Sequence, residues 1–370
     1  MNVPFLDLPA QYKRIRAPIN AAIDAVVDST AFASGPFVSE FEEAFADYVG
    51  AKHCIGLNSG TAALHLALLA SDIGSGDEVV TTPHTWISTS WAISYCGAIP
   101  VYADVDRATG NLAPEAAEAA ITPRTKAILP VDLYGNPADH EAFQAIAARH
   151  GLLVIDDAAQ AHGARLKERR IGSFGWATCF SFYPGKNLGA MGEGGAVVTD
   201  SDEIAERIRS LRDHAQRGRH NHVEIGFNAR MDGLQGAVLT VKLRHLEEWN
   251  AERRVAAERY GRLLSGIGGV SLPVITEGAT PSWHLYVARV HDREMLGAAL
   301  EAAGVGTGVH YPTPVHLQPA YAGLGYERGA FPNAEQYAAT CLSLPMFPEI
   351  TPEQQEYVAE AIALAVEAVR

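Results

Sequence analysis

The sequence of 370 residues is 48% hydrophobic and 19% charged, an ordinary composition for a soluble globular protein of about two domains with a large core. Its 43 acidic residues against 29 Lys and Arg give a net charge of −14, which argues against a nucleic-acid groove or an anionic membrane surface as the main partner. An anionic small substrate stays open, because it needs only a few local cations.

The four cysteines (Cys54, Cys96, Cys179, Cys341) show no Cys-x-x-Cys spacing and read as reduced packing residues. The opening residues Met1 to Asp7 lack the apolar core of a signal peptide, and no apolar run reaches the roughly 18 residues that span a membrane. The expectation is a cytoplasmic chain with no metal site. Residues 10–28 place Ile15, Ile19, Ala22, Ile23, Val26 and Val27 at helical spacing. After the turn Ser34-Gly35-Pro36, a second helix runs from Phe37 to Tyr48.

His53 to Leu57 is a short strand, and Asn58-Ser59-Gly60-Thr61-Ala62-Ala63 leads from it into a helix ending near Ala70. Small residues at a strand-to-helix turn leave backbone N–H groups pointing outward at the positive end of the helix. That is a ready anion site, to which Ser59 and Thr61 add hydroxyls. A helix cap without a ligand has the same sequence. Strands at 78–83 and 100–104 flank a helix ending at Tyr95. Trp86 falls just past the first of them, on the rim where open parallel sheets bind ligands, although core packing explains a lone Trp as well.

A helix over 114–120, a strand over 125–131, a loop over 132–137 and a helix over 138–149 lead to the apolar strand 152–155, which stops at Asp156-Asp157. Successive strand residues face opposite sides, so only one of these carboxylates can address a given site. A buried carboxylate needs a partner; a helix cap beside a solvated acid is the alternative.

Cys179 to Phe182 reads as a buried strand that breaks at Pro184-Gly185 and presents Lys186, before Gly192-Glu193-Gly194-Gly195 and a second apolar run. Burial lowers the pKa of a lysine and makes it a nucleophilic amine; an exposed lysine at a strand end fits this window equally. A P-loop would need Gly at 180 and Ser or Thr at 187, where the chain has Phe180 and Asn187.

A helix over 202–213, a cation-rich loop (Arg217, Arg219, His220, His222) and one long helix from about 232 to 264 follow. Gly266 to Gly269 marks a boundary between a large domain over 1–265 and a smaller α+β domain over 266–370. The N-terminal helix is a candidate to pack on the smaller one. The latter is expected to hold a strand over 284–290 and helices over 293–303, 334–340 and 352–369. Its loop from Gly308 to Tyr321, rich in polar aromatics and proline, suits a pocket rim.

Alternating strands and helices over the first two-thirds imply a mostly parallel α/β sheet. An anion cup, a stacking aromatic, a buried carboxylate and a strand-end lysine all fall at strand carboxyl ends of that sheet. Pyridoxal phosphate asks for this set: donors for its phosphate, an aromatic face for its ring, a carboxylate for its ring nitrogen and a lysine for its aldehyde.

The residues that carry these features resemble the DegT/DnrJ/EryC1/StrS family of sugar aminotransferases over nearly the whole chain. The match is specific at Gly35-Pro36, at Ser59 to Leu64, at Asp156 to Gly163, at Phe180 to Leu188, at Gly192 to Gly195 and at Asn228-Ala229-Arg230-Met231. The resemblance implies fold type I, a mostly parallel sheet flanked by helices with a smaller α+β C-terminal domain, and pyridoxal 5'-phosphate as cofactor. It implies Lys186 as the Schiff-base lysine and proton shuttle, Asp157 rather than Asp156 at the ring nitrogen, Gln160 near the phenolic oxygen and Trp86 over the ring. Ser59, Gly60, Thr61 and Ser181 would hold the phosphate, with Asn228 reaching it from the partner subunit of a homodimer.

The donor usual in the family is L-glutamate, and the acceptor is a nucleotide-linked keto-sugar. The loop at 310–321 looks like that of members aminating dTDP-linked 3-keto-6-deoxyhexoses. Tyr183, Arg219 and Tyr311 are candidates for the diphosphate and His310 for the hexose. A 4-keto-sugar aminotransferase, a dehydratase on the same scaffold and a non-catalytic regulatory relative are the alternatives. Retention of Lys186 favours aminotransfer over dehydration, and retention of both Lys186 and Asp157 argues against a regulatory role.

Overall fold

The computed structural model describes residues 1–367. Seven strands make the central sheet: β1 (His53–Leu57), β2 (Glu78–Thr81), β3 (Ile99–Tyr102), β4 (Thr125–Leu129), β5 (Leu153–Asp157), β6 (Ala177–Ser181) and β7 (Gly195–Thr199). Their order in space is β1-β7-β6-β5-β4-β2-β3. β7 pairs antiparallel with both neighbours and the other pairings are parallel, so the carboxyl ends of the remaining six strands share one edge.

A largely parallel sheet is covered on both faces, which is why these strands read as apolar runs. Alternation along each strand supplies the two faces. Ile55 and Cys179 point to the side packed by Leu64 and Leu68 of α3 (Gly60–Ala70) and by Ile204 and Ile208 of α7 (Asp202–Arg212). Cys54 and Phe180 point to the other side, against Phe41 and Phe45 of α2 (Pro36–Val49) and Leu239 of α8 (Gly233–Leu243). Phe45 meets Phe180 edge-on at 5.1 Å between ring centroids.

Two expectations are corrected. The N-terminal helix, α1 (Leu8–Ser29), packs Ile15 and Ile19 on Val238, Val241 and Trp249, not on the C-terminal core. Only the residues ahead of it enter that core: Val3 is fully buried there, and its N–H and C=O bond Gly304 O and Gly306 N at 2.9 and 2.8 Å.

The long helix is two helices, α8 and α9 (Leu246–Leu264), broken at Arg244 and His245. The apolar period runs through the break, so the pattern hides it. The two halves nevertheless serve different partners. α8 lies between α1 and α2, whereas α9 sends Ala256, Ala257, Tyr260 and Leu264 into the C-terminal core.

That core is built on an antiparallel sheet in the order β8 (Val270–Ser271), β9 (Tyr286–Val290), β10 (Cys341–Leu344). α10 (Arg293–Ala302) and α12 (Pro352–Glu367) cover it through Leu296, Leu300, Val358 and Ile362. β10 was not expected from the sequence, and the last residues of the helix expected over 352–369 lie outside the described residues. Among the described residues, no helix is long and apolar enough to cross a membrane.

Candidate active site

A cavity of about 740 Å³ opens along the edge where the strands present their carboxyl ends. It is large enough for a cofactor and part of a substrate. Its wall includes Ser59, Gly60, Thr61, Trp86, Asp157, Gln160, Ser181, Tyr183, Lys186, His310 and Tyr311, gathered from both parts of the chain.

One end of the pocket is the amino terminus of α3. Ser59 is its N-cap, in extended backbone, with Oγ accepting from Ala62 N at 3.1 Å. The N–H groups of Gly60 and Thr61, which open the helix, have no intrahelical acceptor. Thr61 Oγ1 donates to Ser88 Oγ at 2.9 Å, and Ser181 Oγ accepts from Tyr183 N at 3.4 Å. Gly60 is required by close approach: a Cβ there would stand 2.6 Å from Ser181 Cβ. Hydroxyls and free amides at a helix amino terminus form an anion cup.

Across the pocket, alternation at the end of β5 separates the two carboxylates. Asp157 faces the pocket, with Oδ2 accepting from Thr89 Oγ1 at 2.8 Å and Oδ1 from Ala159 N at 3.2 Å. Burial pushes its pKa up, against the pull of those hydrogen bonds and of the Lys186 charge. Asp156 turns to the opposite side of the strand.

Lys186 sits where the segment after β6 turns back: its N–H donates to Tyr183 O at 2.8 Å. Burial lowers its pKa to about 8, with Asp157 opposing the shift. It is thus closer than an ordinary lysine to the free amine that attacks a carbonyl.

Aromatic residues close the upper wall. Trp86, half exposed on the pocket side, lies 5.5 Å from the Tyr311 ring at 44°. Gln160 is fixed at both ends, with Oε1 accepting from Tyr134 N at 2.6 Å and Nε2 donating to the Tyr311 hydroxyl at 3.1 Å. His310 is set by three neighbours: Ser343 Oγ at 2.8 Å from Nδ1, the Phe5 ring stacked at 5.8 Å, and the Tyr134 hydroxyl, which donates to its carbonyl. His84 Nε2 in turn lies 2.8 Å from that hydroxyl. Burial, with the Lys186 charge adding to it, lowers the pKa of His310 to about 4, so the imidazole is neutral.

Two predicted residues stand apart. Asn228 does not line this pocket; its Oδ1 accepts from Arg230 Nη2 at 2.9 Å and its carbonyl from Asn58 Nδ2 at 3.3 Å. Arg219 is exposed in the loop between α7 and α8, also off the pocket wall.

Conversely, Thr89, Ser88, His284, Phe5, Leu6 and Met346 were not singled out beforehand, and all but Thr89 line the wall. Thr89 and Ser88 follow the noticed Trp86 in a helix start rich in hydroxyls, a signal that was available. Phe5 and Met346 gave none, because their place depends on Met346 N donating to Phe5 O at 3.4 Å across the length of the chain.

The residues fit pyridoxal phosphate on structural grounds. The cup suits a phosphate, Asp157 a protonated ring nitrogen, Trp86 a ring face and the Lys186 amine an aldehyde.

Comparison with known proteins agrees. Residues 13–363 match the model of the DegT/DnrJ/EryC1/StrS aminotransferase family. The chain is 49% identical over 358 residues to the erythromycin biosynthesis sensory transduction protein EryC1 of Saccharopolyspora erythraea, covering 97% of this chain and 98% of that protein. It is 47% identical over 360 residues to a dTDP-3-amino-3,4,6-trideoxy-alpha-D-glucose transaminase of Streptomyces venezuelae, covering 97% and 95%. An X-ray structure of S. venezuelae DesV in complex with a ketimine intermediate superposes with a TM-score of 0.97 at 47% identity, covering 99% of each chain. With lysine, carboxylate and anion cup facing one cavity in a fold type I scaffold, the chain belongs to the DegT/DnrJ/EryC1/StrS aminotransferase family and is a pyridoxal-phosphate enzyme.

Proposed function

We propose that this aminotransferase moves the amino group of L-glutamate onto the keto carbon of a nucleotide-linked sugar, most specifically a dTDP-linked 3-keto-6-deoxyhexose. The observation that carries aminotransfer is Lys186, with its lowered pKa, sharing one pocket with Asp157. The choice of sugar rests on the likeness to the dTDP-3-amino-sugar transaminase.

When bound, the cofactor supplies an electron sink for the carbon that gains or loses a proton. The chain's residues do the rest. The amides of Gly60 and Thr61 and the hydroxyls of Ser59 and Ser181 would hold the phosphate, and Asp157 would keep the ring nitrogen charged. Trp86 would limit tilt of the ring, and Gln160, held between Tyr134 and Tyr311, would serve its phenolic oxygen. Lys186 Nζ, as a free amine, would be the base that takes a proton from one carbon and returns it to the next. Neutral His310 and the hydroxyls of Tyr183 and Tyr311 offer hydrogen bonds to the sugar and diphosphate.

Lys186 is the only Lys or Arg on the pocket wall among the described residues. A nucleoside diphosphate needs more positive charge than that. This supports a homodimer in which Arg219 and Asn228 of one subunit complete the site of the other. The free, unpaired cysteines accord with a cytoplasmic location.

Single-turnover incubation with L-glutamate should release 2-oxoglutarate in proportion to bound cofactor. Mass spectrometry of products from a panel of nucleotide keto-sugars should then show an amine on the 3-keto compound. If no 2-oxoglutarate forms, aminotransfer is wrong; if only a 4-keto sugar gains the amine, the acceptor is wrong.

A further inference from the structure

β5 ends in two carboxylates with opposite surroundings. Asp157 has a hydroxyl donor, an amide donor and the Lys186 charge. Asp156 is 0% exposed, and neither of its oxygens has a hydrogen-bond partner among the described residues. Its nearest basic group is His140, at the start of α6 (His140–His150), whose Nε2 lies 3.8 Å from Asp156 Oδ2, beyond hydrogen-bond reach.

That nitrogen is committed elsewhere: it lies 2.8 Å from Oδ1 of Asp132, which also accepts from Ala138 N at 2.7 Å. Thr178 of β6 faces Asp156 from the neighbouring strand, and Asp139 adds its charge near His140. Phe174 stacks on the imidazole at 5.2 Å, and the side chains of Asp132, His140 and Asp156 are fully buried.

The cluster is rich in acceptors and short of donors, since Asp132 Oδ2 and both Asp156 oxygens lack partners. His140, whose pKa Asp132 and Asp156 raise to about 9 against the pull of burial, spends its Nε2 proton on Asp132, which leaves Asp156 a buried carboxylate without a donor of its own among the described residues. A proton on Asp156 removes one charge and supplies one donor. A metal ion could also do this, but a metal-ligating histidine normally donates its second ring N–H, and His140 Nδ1 has no acceptor among the described residues.

Backbone pairing ties Asp157 to the segment that carries Asp132: Asp132 N donates to Asp157 O at 3.1 Å, and Asp157 N donates to Pro130 O at 3.0 Å.

We propose that Asp132, His140 and Asp156 form a positioning cluster behind Asp157, in which Asp156 keeps its proton at neutral pH and Asp157 is the one ionised carboxylate at the strand end. Environments that drive two neighbouring carboxylates apart in this way divide their roles: one is a charge, the other a neutral acid. Burial, reinforced by Asp132, raises the pKa of Asp156 well above the usual carboxylate range, against the opposing pull of His140 and the Thr178 hydroxyl. The value for the cluster lies in leaving the charge that meets the ring nitrogen undiluted by a like charge one residue away. This rests on the reading of Asp157 given above.

Two measurements on the full-length apoenzyme test it. In the infrared spectrum of aspartate-labelled protein at neutral pH, a carboxylic-acid C=O band should be present, lost in Asp156→Asn and kept in Asp157→Asn. Absence of the band, or its loss with Asp157 instead, overturns the proposal whatever Asp157 does.

The second measurement is the affinity for pyridoxamine phosphate as a function of pH, whose acid limb reports protonation of Asp157. Asp132→Asn removes an anion that raises Asp157, so the limb should move to lower pH. Asp156→Asn removes no charge and should leave the limb in place. A limb that moves equally in both variants overturns the proposal. A wild-type profile with no acid limb overturns instead the role of Asp157, and the infrared band still decides Asp156. If Asp156→Asn does not fold, metal analysis of the wild type serves: a stoichiometric ion would hold Asp156 ionised and sink the idea.

Discussion

Thr89 Oγ1 donates a 2.8 Å hydrogen bond to Asp157 Oδ2, tying the amino end of α4 (Ser88–Tyr95) to the carboxylate at the end of β5. Thr85 Oγ1, 2.9 Å from the same hydroxyl, fixes its rotamer. Thr89→Val keeps the shape of the fully buried side chain and removes the donor. Hydrogen bonds to charged groups contribute about 1.5–3 kcal/mol, so pyridoxamine phosphate should bind roughly ten- to a hundredfold more weakly. Fluorescence titration of the apoenzyme measures this, and an unchanged affinity would show that Asp157 holds its position without help.

Lys186 makes the stability of the apoenzyme depend on pH with a definite sign. Its folded pKa is about 8 against an ordinary 10.5, so between those values the unfolded chain holds a proton that the folded chain has lost. This residue's contribution to stability therefore rises with pH through that window and is unfavourable below it. Lys186→Met should flatten the slope in chemical denaturation, and competitive amine labelling should place the Lys186 midpoint near pH 8. A labelling midpoint equal to that of exposed lysines would contradict the burial argument. Lys186→Ala should also abolish borohydride trapping of the cofactor on the chain.

Gly60→Ala should damage the anion cup while leaving the sheet in place. The added methyl would stand 2.6 Å from Ser181 Cβ, so β6 and the amino end of α3 must move apart. Overpacking of this kind costs about 1–3 kcal/mol. A lower thermal midpoint should accompany at least tenfold weaker binding of pyridoxamine phosphate, with pyridoxamine itself, which has no phosphate, much less affected. Equal losses for both ligands would place the damage elsewhere.

The proposed sharing of the site across a homodimer predicts complementation between subunits. In mixed dimers of Lys186→Ala and Asn228→Ala chains, one of the two sites has both residues intact. An equal mixture that exchanges subunits should recover about a quarter of wild-type activity from two nearly inactive parents. No recovery after verified exchange would place both residues in the same subunit's site.

Most of the large sheet and the pocket edge were legible because local chemistry and tertiary role coincide there. The strand at 153–157 is apolar up to the two acids, and period-two alternation alone sends Asp157 and Asp156 to opposite sides. The break at Arg244 and His245 was illegible, because the apolar spacing continues while the packing partners change. Asn228 is named by its motif and Arg219 by the cations of its loop, and nothing local says that either lies off its own chain's pocket. Phe5 and Met346 lie beyond any local window, since one hydrogen bond joins chain positions far apart.

That same bond has a consequence for biogenesis. Phe5 and Leu6 leave the ribosome long before Gly306 and Met346, which form their seat. A nascent chain can assemble the sheet, Lys186 and Asp157 first, but its catalytic chamber lacks a wall until Met346 has been made. Premature termination ahead of Met346 would thus leave a sheet-bearing product with an open chamber, so synthesis through Met346 is itself a check on activity.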